Sequence, residues 1–176
     1  MNIANHLLIE NSSKIWKEVI DYVGDDTERF NELIQLFFNG DMRIVQRSSQ
    51  PIGVISEKQP QLIRPYLTQL IDYLKSNPID AVKRNTMRIF QFIEIPEENE
   101  GELFEIGMGY LKDMEEPIAV KAFSMTVLRK ICEKYPELAQ ELVFQIEILV
   151  KERVSSGVTN RGGHELKKLK KILDKN

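Results

Sequence analysis

The chain has 176 residues, of which 42% are hydrophobic and 29% are charged, and its net charge is −3. This balance is typical of one globular domain with a sizeable core and argues against general disorder. No apolar run approaches the ~18 residues that a membrane helix needs, and we expect no signal peptide because residues 1–6 lack its basic and apolar regions. The single cysteine, Cys132, cannot form an internal disulfide, so we expect a reducing, cytoplasmic compartment.

Apolar residues at helical spacing predict four helices in the first half of the chain. The first follows Ser12-Ser13 and ends at Gly24, and the second ends at Asn39-Gly40. The third runs from Asp41 to about Lys58 with Pro51 inside it, where we expect a kink because proline removes a backbone donor. The fourth carries apolar residues at helical spacing over residues 62–74 and extends up to Asn77-Pro78.

The second half continues the pattern with five more helices. They cover residues 79–93, residues 103–113, a helix led by Pro117, a helix opened by Pro136, and a short final helix with Leu166, Leu169 and Leu173 on one side. We interpret the glycine-containing segment 157–163 as a connecting turn. The chain therefore has about nine predicted helices and no convincing strand.

A repeat is visible in three segments, residues 44–49, 81–86 and 119–124, with a degenerate fourth copy at 158–163. Their valines at positions 45, 82 and 120 are 37 and 38 residues apart, and the three segments are followed by Pro60, Pro96 and Pro136. Two helices of four to five turns with short connections use about forty residues. One such pair cannot bury both of its apolar stripes, so neighbouring pairs must stack.

Over roughly residues 41–163 this pattern resembles HEAT repeats, with a proline-led first helix, a hydrophobic pair and a basic residue early in the second helix. The resemblance implies an all-α fold, an α-α superhelix of about nine helices in four to five antiparallel pairs. A single domain would then cover residues 1–176. It would have N-terminal capping helices over 1–40, core repeats over 41–157 and a C-terminal capping helix over 158–176.

Stacking in register places equivalent residues in a row and predicts a basic stripe. The position of Arg47 corresponds to Arg84, Ala122 and Arg161, and the preceding position includes Lys83 and Lys121. With Arg88 one turn further on, the candidate binding residues are Arg47, Lys83, Arg84, Arg88, Lys121 and Arg161. HEAT-like proteins usually bind through the concave surface, which the resemblance implies for this stripe.

Two interpretations of the stripe remain open. Its cations could pair with acids of neighbouring repeats, such as Asp80 and Glu115-Glu116, and tie one layer to the next. They could instead form a groove that follows a phosphate backbone or an acidic surface.

Charge is also uneven along the sequence. Residues 94–116 carry nine acids against one lysine, and residues 158–176 carry six bases against two acids. The lysines of the final helix, at positions 167, 168, 170, 171 and 175, predict either a solvated capping helix or a surface that meets acidic partners, including nucleic acid.

We predict a non-catalytic binding module or scaffold that presents one face to a macromolecular partner, first of all a protein, as a monomer or weak dimer without cofactor or metal. The alternative is a nucleic-acid-binding protein, distantly similar to the HEAT-like DNA glycosylases that repair alkylated bases. Those enzymes bring a catalytic aspartate and aromatic residues to a basic cleft. Here the one tryptophan, Trp16, lies in the predicted N-terminal cap, and the pI is near 5.6.

Overall fold

The computed structural model describes residues 1–175, and no strand occurs among them. The chain folds into two compact units, residues 1–93 and the residues from Glu94 onward. The all-α prediction is confirmed. The division into a single domain with capping and core segments stays a prediction, and its last residue, Asn176, lies outside the described range.

The first unit consists of α-helices and one 3-10 helix, Arg64–Tyr66. Its α-helices are α1 (Ile3–Ile9), α2 (Ser13–Val23), α3 (Thr27–Asn39), α4 (Met42–Lys58), α5 (Pro60–Ile63), α6 (Leu67–Lys75) and α7 (Asp80–Phe90). Side-chain oxygens of Asn2, Ser12, Asp26 and Asp41 accept hydrogen bonds from backbone N–H groups in the first turns of α1 to α4. These caps fix where the four helices begin because they satisfy donors that have no partner inside the helix.

Two segments of the first unit differ from the prediction. The continuous helix expected over residues 62–74 is wrong, since the chain passes through a 3-10 turn at Arg64–Tyr66 before α6 begins. Pro65 explains the break because it has no N–H to donate and disfavours the α conformation of the residue before it. Helix α1 was not predicted, and its seven residues are too few to show a clear period.

Helix α4 organises the packing of the first unit, in contact with α2, α3 and α7. The contact between α4 and α7 brings the first two copies of the repeat together, as stacking requires. Gly53 allows the close approach, because a Cβ there would lie only 3.2 Å from the Oδ1 atom of Asn85 on α7. Pro51 is buried inside α4, and the kink expected there stays a prediction.

The second unit contains four α-helices and the 3-10 turn Pro136–Leu138. They are α8 (Glu97–Lys112), α9 (Ile118–Lys134), α10 (Ala139–Lys151) and α11 (Ser156–Leu173). Helix α9 packs between α8 and α11, and α10 packs against α11. The third copy of the repeat on α9 and the degenerate fourth copy on α11 are therefore neighbours.

The connecting turn predicted for residues 157–163 is wrong, because this segment forms the first turns of α11. Ser155 caps the helix, with its hydroxyl oxygen 3.1 Å from the backbone nitrogen of Val158. Gly162 serves packing, since a Cβ there would lie 2.6 Å from the Cγ2 atom of Val150 on α10. The final helix is consequently 18 residues long.

Candidate binding surface

Four residues of the predicted basic stripe lie in the first unit, and three of them are wholly or partly withdrawn from solvent. Arg47 donates a hydrogen bond from Nη1 to the carbonyl oxygen of Leu7 at 2.8 Å. The Nη2 atom of Arg88 lies 2.6 Å from Oε2 of Glu57, and Lys83 is 7% exposed. Arg84, at the start of α7, is exposed.

The other two stripe residues lie in the second unit and also donate hydrogen bonds to other residues of the protein. Lys121 is 0% exposed, and its ammonium donates to the carbonyl oxygens of Glu116 at 2.6 Å and Met114 at 3.2 Å. Arg161 donates from Nη1 to the hydroxyl oxygen of Thr126 at 2.7 Å. Lys121 thus holds the connection between α8 and α9, and its charge is not presented on a surface.

These contacts favour the interpretation in which stripe cations tie structural layers together. Among the six residues only Arg84 is exposed, whereas a phosphate-binding groove needs a row of accessible cations. Of the acids that the sequence suggested as partners, Glu116 accepts a hydrogen bond from Lys121 through its backbone carbonyl oxygen. A binding role for the stripe stays a prediction.

A buried ionic network, which the sequence analysis missed, joins α9 to α11. Arg129 donates from Nε to Oε2 of Glu165 at 2.7 Å, and the hydroxyl of Thr126 donates to Oε1 of the same carboxylate at 2.9 Å. Arg129 also hydrogen-bonds the exposed Glu133. The exposed fractions of the Arg129 and Glu165 side chains are 10% and 3%. Their separation of 36 residues is close to the repeat period and is the signal that could have found this pair.

The lysines of α11, together with Lys175 two residues beyond its end, differ from most residues of the stripe because they are exposed. We define the lysine face as Lys167, Lys168, Lys170, Lys171 and Lys175. With the described residues, Lys168 and Lys170 make long ion pairs, at 3.9 Å to Glu165 and 3.8 Å to Glu147. Lysines near a helix C-terminus are favoured by the helix dipole, and their exposure keeps the charge available to a partner.

A groove of about 500 Å³ opens beside the lysine face, between α11 and the 3-10 turn. It is lined by Glu133, Pro136, Lys168, Lys171, Ile172 and Lys175. Three lysines therefore line the groove together with the apolar side chains of Pro136 and Ile172.

A comparison with protein-family models gives a match to the HEAT repeat domain over residues 3–169. The chain belongs to the HEAT repeat family. The family prediction made from the 37- and 38-residue spacings is thereby confirmed. No curated protein matches the chain, and no solved structure matches it either.

The extent of the HEAT match shows that α11 is part of the repeat domain. The match covers most of α11 and also α1, so both helices belong to the repeat array by sequence. A HEAT array is a helical scaffold for interactions, and its specificity comes from the side chains that it exposes. Within residues 1–175 no helix is long and apolar enough to cross a membrane.

Burial changes the pKa of side chains in the HEAT helices, among them Lys121 and Cys132. Among residues 1–175, no group of three or more His, Cys, Asp or Glu side chains could hold a metal ion. Burial lowers the pKa of Lys121, although Asp113, Glu116 and Glu115 partly offset this effect. Burial also raises the pKa of the Cys132 thiol to about 12, so this side chain stays a neutral thiol at physiological pH.

The raised pKa of the Cys132 thiol predicts that the protein loses stability at alkaline pH. The folded state keeps the proton up to about pH 12, whereas the unfolded chain releases it near pH 9.0. The unfolded state therefore binds fewer protons between these values, and the free energy of unfolding falls as pH rises. Between pH 7 and about pH 10.5 we expect the wild type to lose about 2 kcal/mol more than Cys132→Ala.

Urea unfolding at the two pH values measures this difference. The alanine variant is the control because it shares every other titrating group. Equal losses in the two proteins would mean that the thiol is solvated in the folded state.

Proposed function

We propose that this HEAT repeat protein is a non-catalytic binding module whose lysine face binds an acidic surface of a protein partner. The observation that supports the proposal is the contrast between two sets of cations. Stripe residues such as Arg47, Arg88 and Lys121 are engaged by the protein itself. The lysines of α11 remain exposed at the end of a helix.

A protein partner suits this surface better than a nucleic acid. The lysine face is short, since its five lysines span residues 167–175, and a helix of that length rises by only about 12 Å. Glu133 lines the adjacent groove and Glu147 lies beside Lys170, so a phosphate backbone would also meet negative charge. Acidic side chains of a protein can be placed to avoid these two carboxylates.

A reducing, cytoplasmic location belongs to the same proposal, because the one cysteine is buried and unpaired. Such a thiol does not depend on an oxidising compartment. We propose a monomer or weak dimer as the working state.

Fluorescence anisotropy with two labelled probes tests the proposal. One probe is a glutamate-rich peptide and the other is a short DNA duplex, each titrated at low and high salt. We expect salt-sensitive binding of the peptide, weakened roughly tenfold or more in Lys171→Glu/Lys175→Glu. Arg84→Glu is the matched control, because it reverses an exposed cation in the other unit and should leave peptide binding unchanged.

The alternative function predicts the opposite pattern. Tight binding of the duplex that is lost in Arg84→Glu, with no binding of the peptide, would show a nucleic-acid-binding protein and overturn the proposal.

A further inference from the structure

The groove beside α11 is lined by both charged and apolar side chains, whereas a purely electrostatic surface offers charge alone. Lys168, Lys171 and Lys175 line it together with Ile172 and Pro136. Ile172 is half-buried on α11, and Pro136 opens the 3-10 turn on the opposite side. A bound segment would therefore meet both lysine side chains and apolar carbon atoms.

The positive charge of the groove is largely uncompensated. Its one carboxylate, Glu133, already accepts a hydrogen bond from the Arg129 guanidinium. Lys168 lies 3.9 Å from Glu165, and neither Lys171 nor Lys175 makes an ion pair with the described residues. An anionic occupant would supply the missing partners.

The spacing of the lysines suits an extended peptide. Lys168 lies on α11, and Lys175 lies two residues beyond the end of this helix at Leu173. Seven residues of α-helix rise by about 10.5 Å, so the two Cα atoms are separated by roughly 10 Å along the helix axis. In an extended chain, side chains at positions i, i+2 and i+4 point to the same side, and the outer two are about 13 Å apart. Flexible lysine side chains can accommodate the difference between these two lengths.

We propose that the groove binds an extended acidic segment of a protein partner, with two acidic residues four positions apart and an apolar residue midway between them. The acids pair with the lysines, and the apolar side chain packs on Ile172 and Pro136. This inference rests on the proposed function and adds to it, because it assigns the partner a sequence pattern as well as a charge. Binding by charge alone would require no central apolar residue.

Three synthetic peptides test whether binding requires the central apolar residue or only the negative charge. The first has the pattern Glu-x-Leu-x-Glu, the second replaces the leucine by glycine, and the third keeps the leucine but replaces both glutamates by glutamine. We expect the second peptide to bind roughly tenfold more weakly than the first, because it loses the burial of one leucine. The third should show no salt-sensitive binding.

Two double variants locate the site on α11. Lys171→Glu/Lys175→Glu reverses two groove lysines, and Lys167→Glu/Lys170→Glu makes the same change of charge at two lysines that do not line the groove. We expect the first variant to lose binding of the leucine peptide and to bind the two acidic peptides equally weakly. The second variant should keep the preference for leucine. Thermal unfolding of both variants checks that they are folded.

Two results would overturn the inference in different ways. Equal binding of the leucine and glycine peptides, reduced equally by both double variants, would mean that α11 binds by diffuse charge. The proposed function would then stand without the groove. No salt-sensitive binding of either acidic peptide would overturn the proposed function as well.

Discussion

Glu165→Ala is expected to lower the free energy of unfolding by about 3–5 kcal/mol, because it leaves the buried Arg129 guanidinium without its main counter-charge. The carboxylate also accepts the hydroxyl of Thr126, which would lose its acceptor. Both ionic side chains are at most 10% exposed, so water cannot replace the lost interactions. Urea unfolding at neutral pH measures the effect.

Two further variants separate the buried pair from its exposed neighbour. Glu133→Ala removes another partner of Arg129, but that carboxylate is 54% exposed, and we expect a loss of under about 1 kcal/mol. Arg129→Met/Glu165→Leu removes both buried charges and should recover much of the stability lost in Glu165→Ala. A loss in Glu165→Ala as small as that in Glu133→Ala would contradict the buried network.

Lys121→Ala is expected to cost about 3 kcal/mol, although lysine-to-alanine changes on helix surfaces are usually almost neutral. The substitution empties a fully buried position and leaves the carbonyl oxygens of Met114 and Glu116 without their donor. Lys121→Met keeps most of the buried stem and should cost only about 1 kcal/mol for the lost hydrogen bonds. Thermal and urea unfolding measure both variants.

Arg84→Ala is the reference for this series, since Arg84 is an exposed stripe residue and should change stability by less than about 0.5 kcal/mol. If Lys121→Ala were as mild as Arg84→Ala, the Lys121 ammonium would be accessible in solution. The interpretation of the stripe as a binding groove would then gain support.

Much of the fold could be predicted from sequence because it depends on local signals. Asp41 and the Ser12-Ser13 pair mark helix starts through side-chain caps, and the 37- and 38-residue spacings identify the HEAT repeat. Two predictions of secondary structure were wrong, because a proline or a glycine can have more than one structural role. Pro65 interrupts a stripe of apolar residues whose spacing predicts one helix, and Gly162 suggests a turn although it permits close packing against α10.

The candidate site was harder to predict because the repeat pattern does not show which side chains are buried. Lys121 follows Val120 in a pattern that looks amphipathic, yet its ammonium donates to carbonyl groups of the connection that precedes α9. Register alone predicts that Arg161 lies on a groove, whereas in the structure it donates a hydrogen bond to the hydroxyl of Thr126. Repeat register predicts which positions become neighbours, but it does not predict which cations remain in solvent.

Hydrogen exchange with and without the Glu-x-Leu-x-Glu peptide tests most directly whether α11 carries the binding surface. We predict slower exchange in the 3-10 turn Pro136–Leu138 and in the last turns of α11, from Lys168 to Leu173, with no change around Arg84 on α7. Protection around Arg84, or no protection anywhere under conditions where the peptide is bound, would contradict the account.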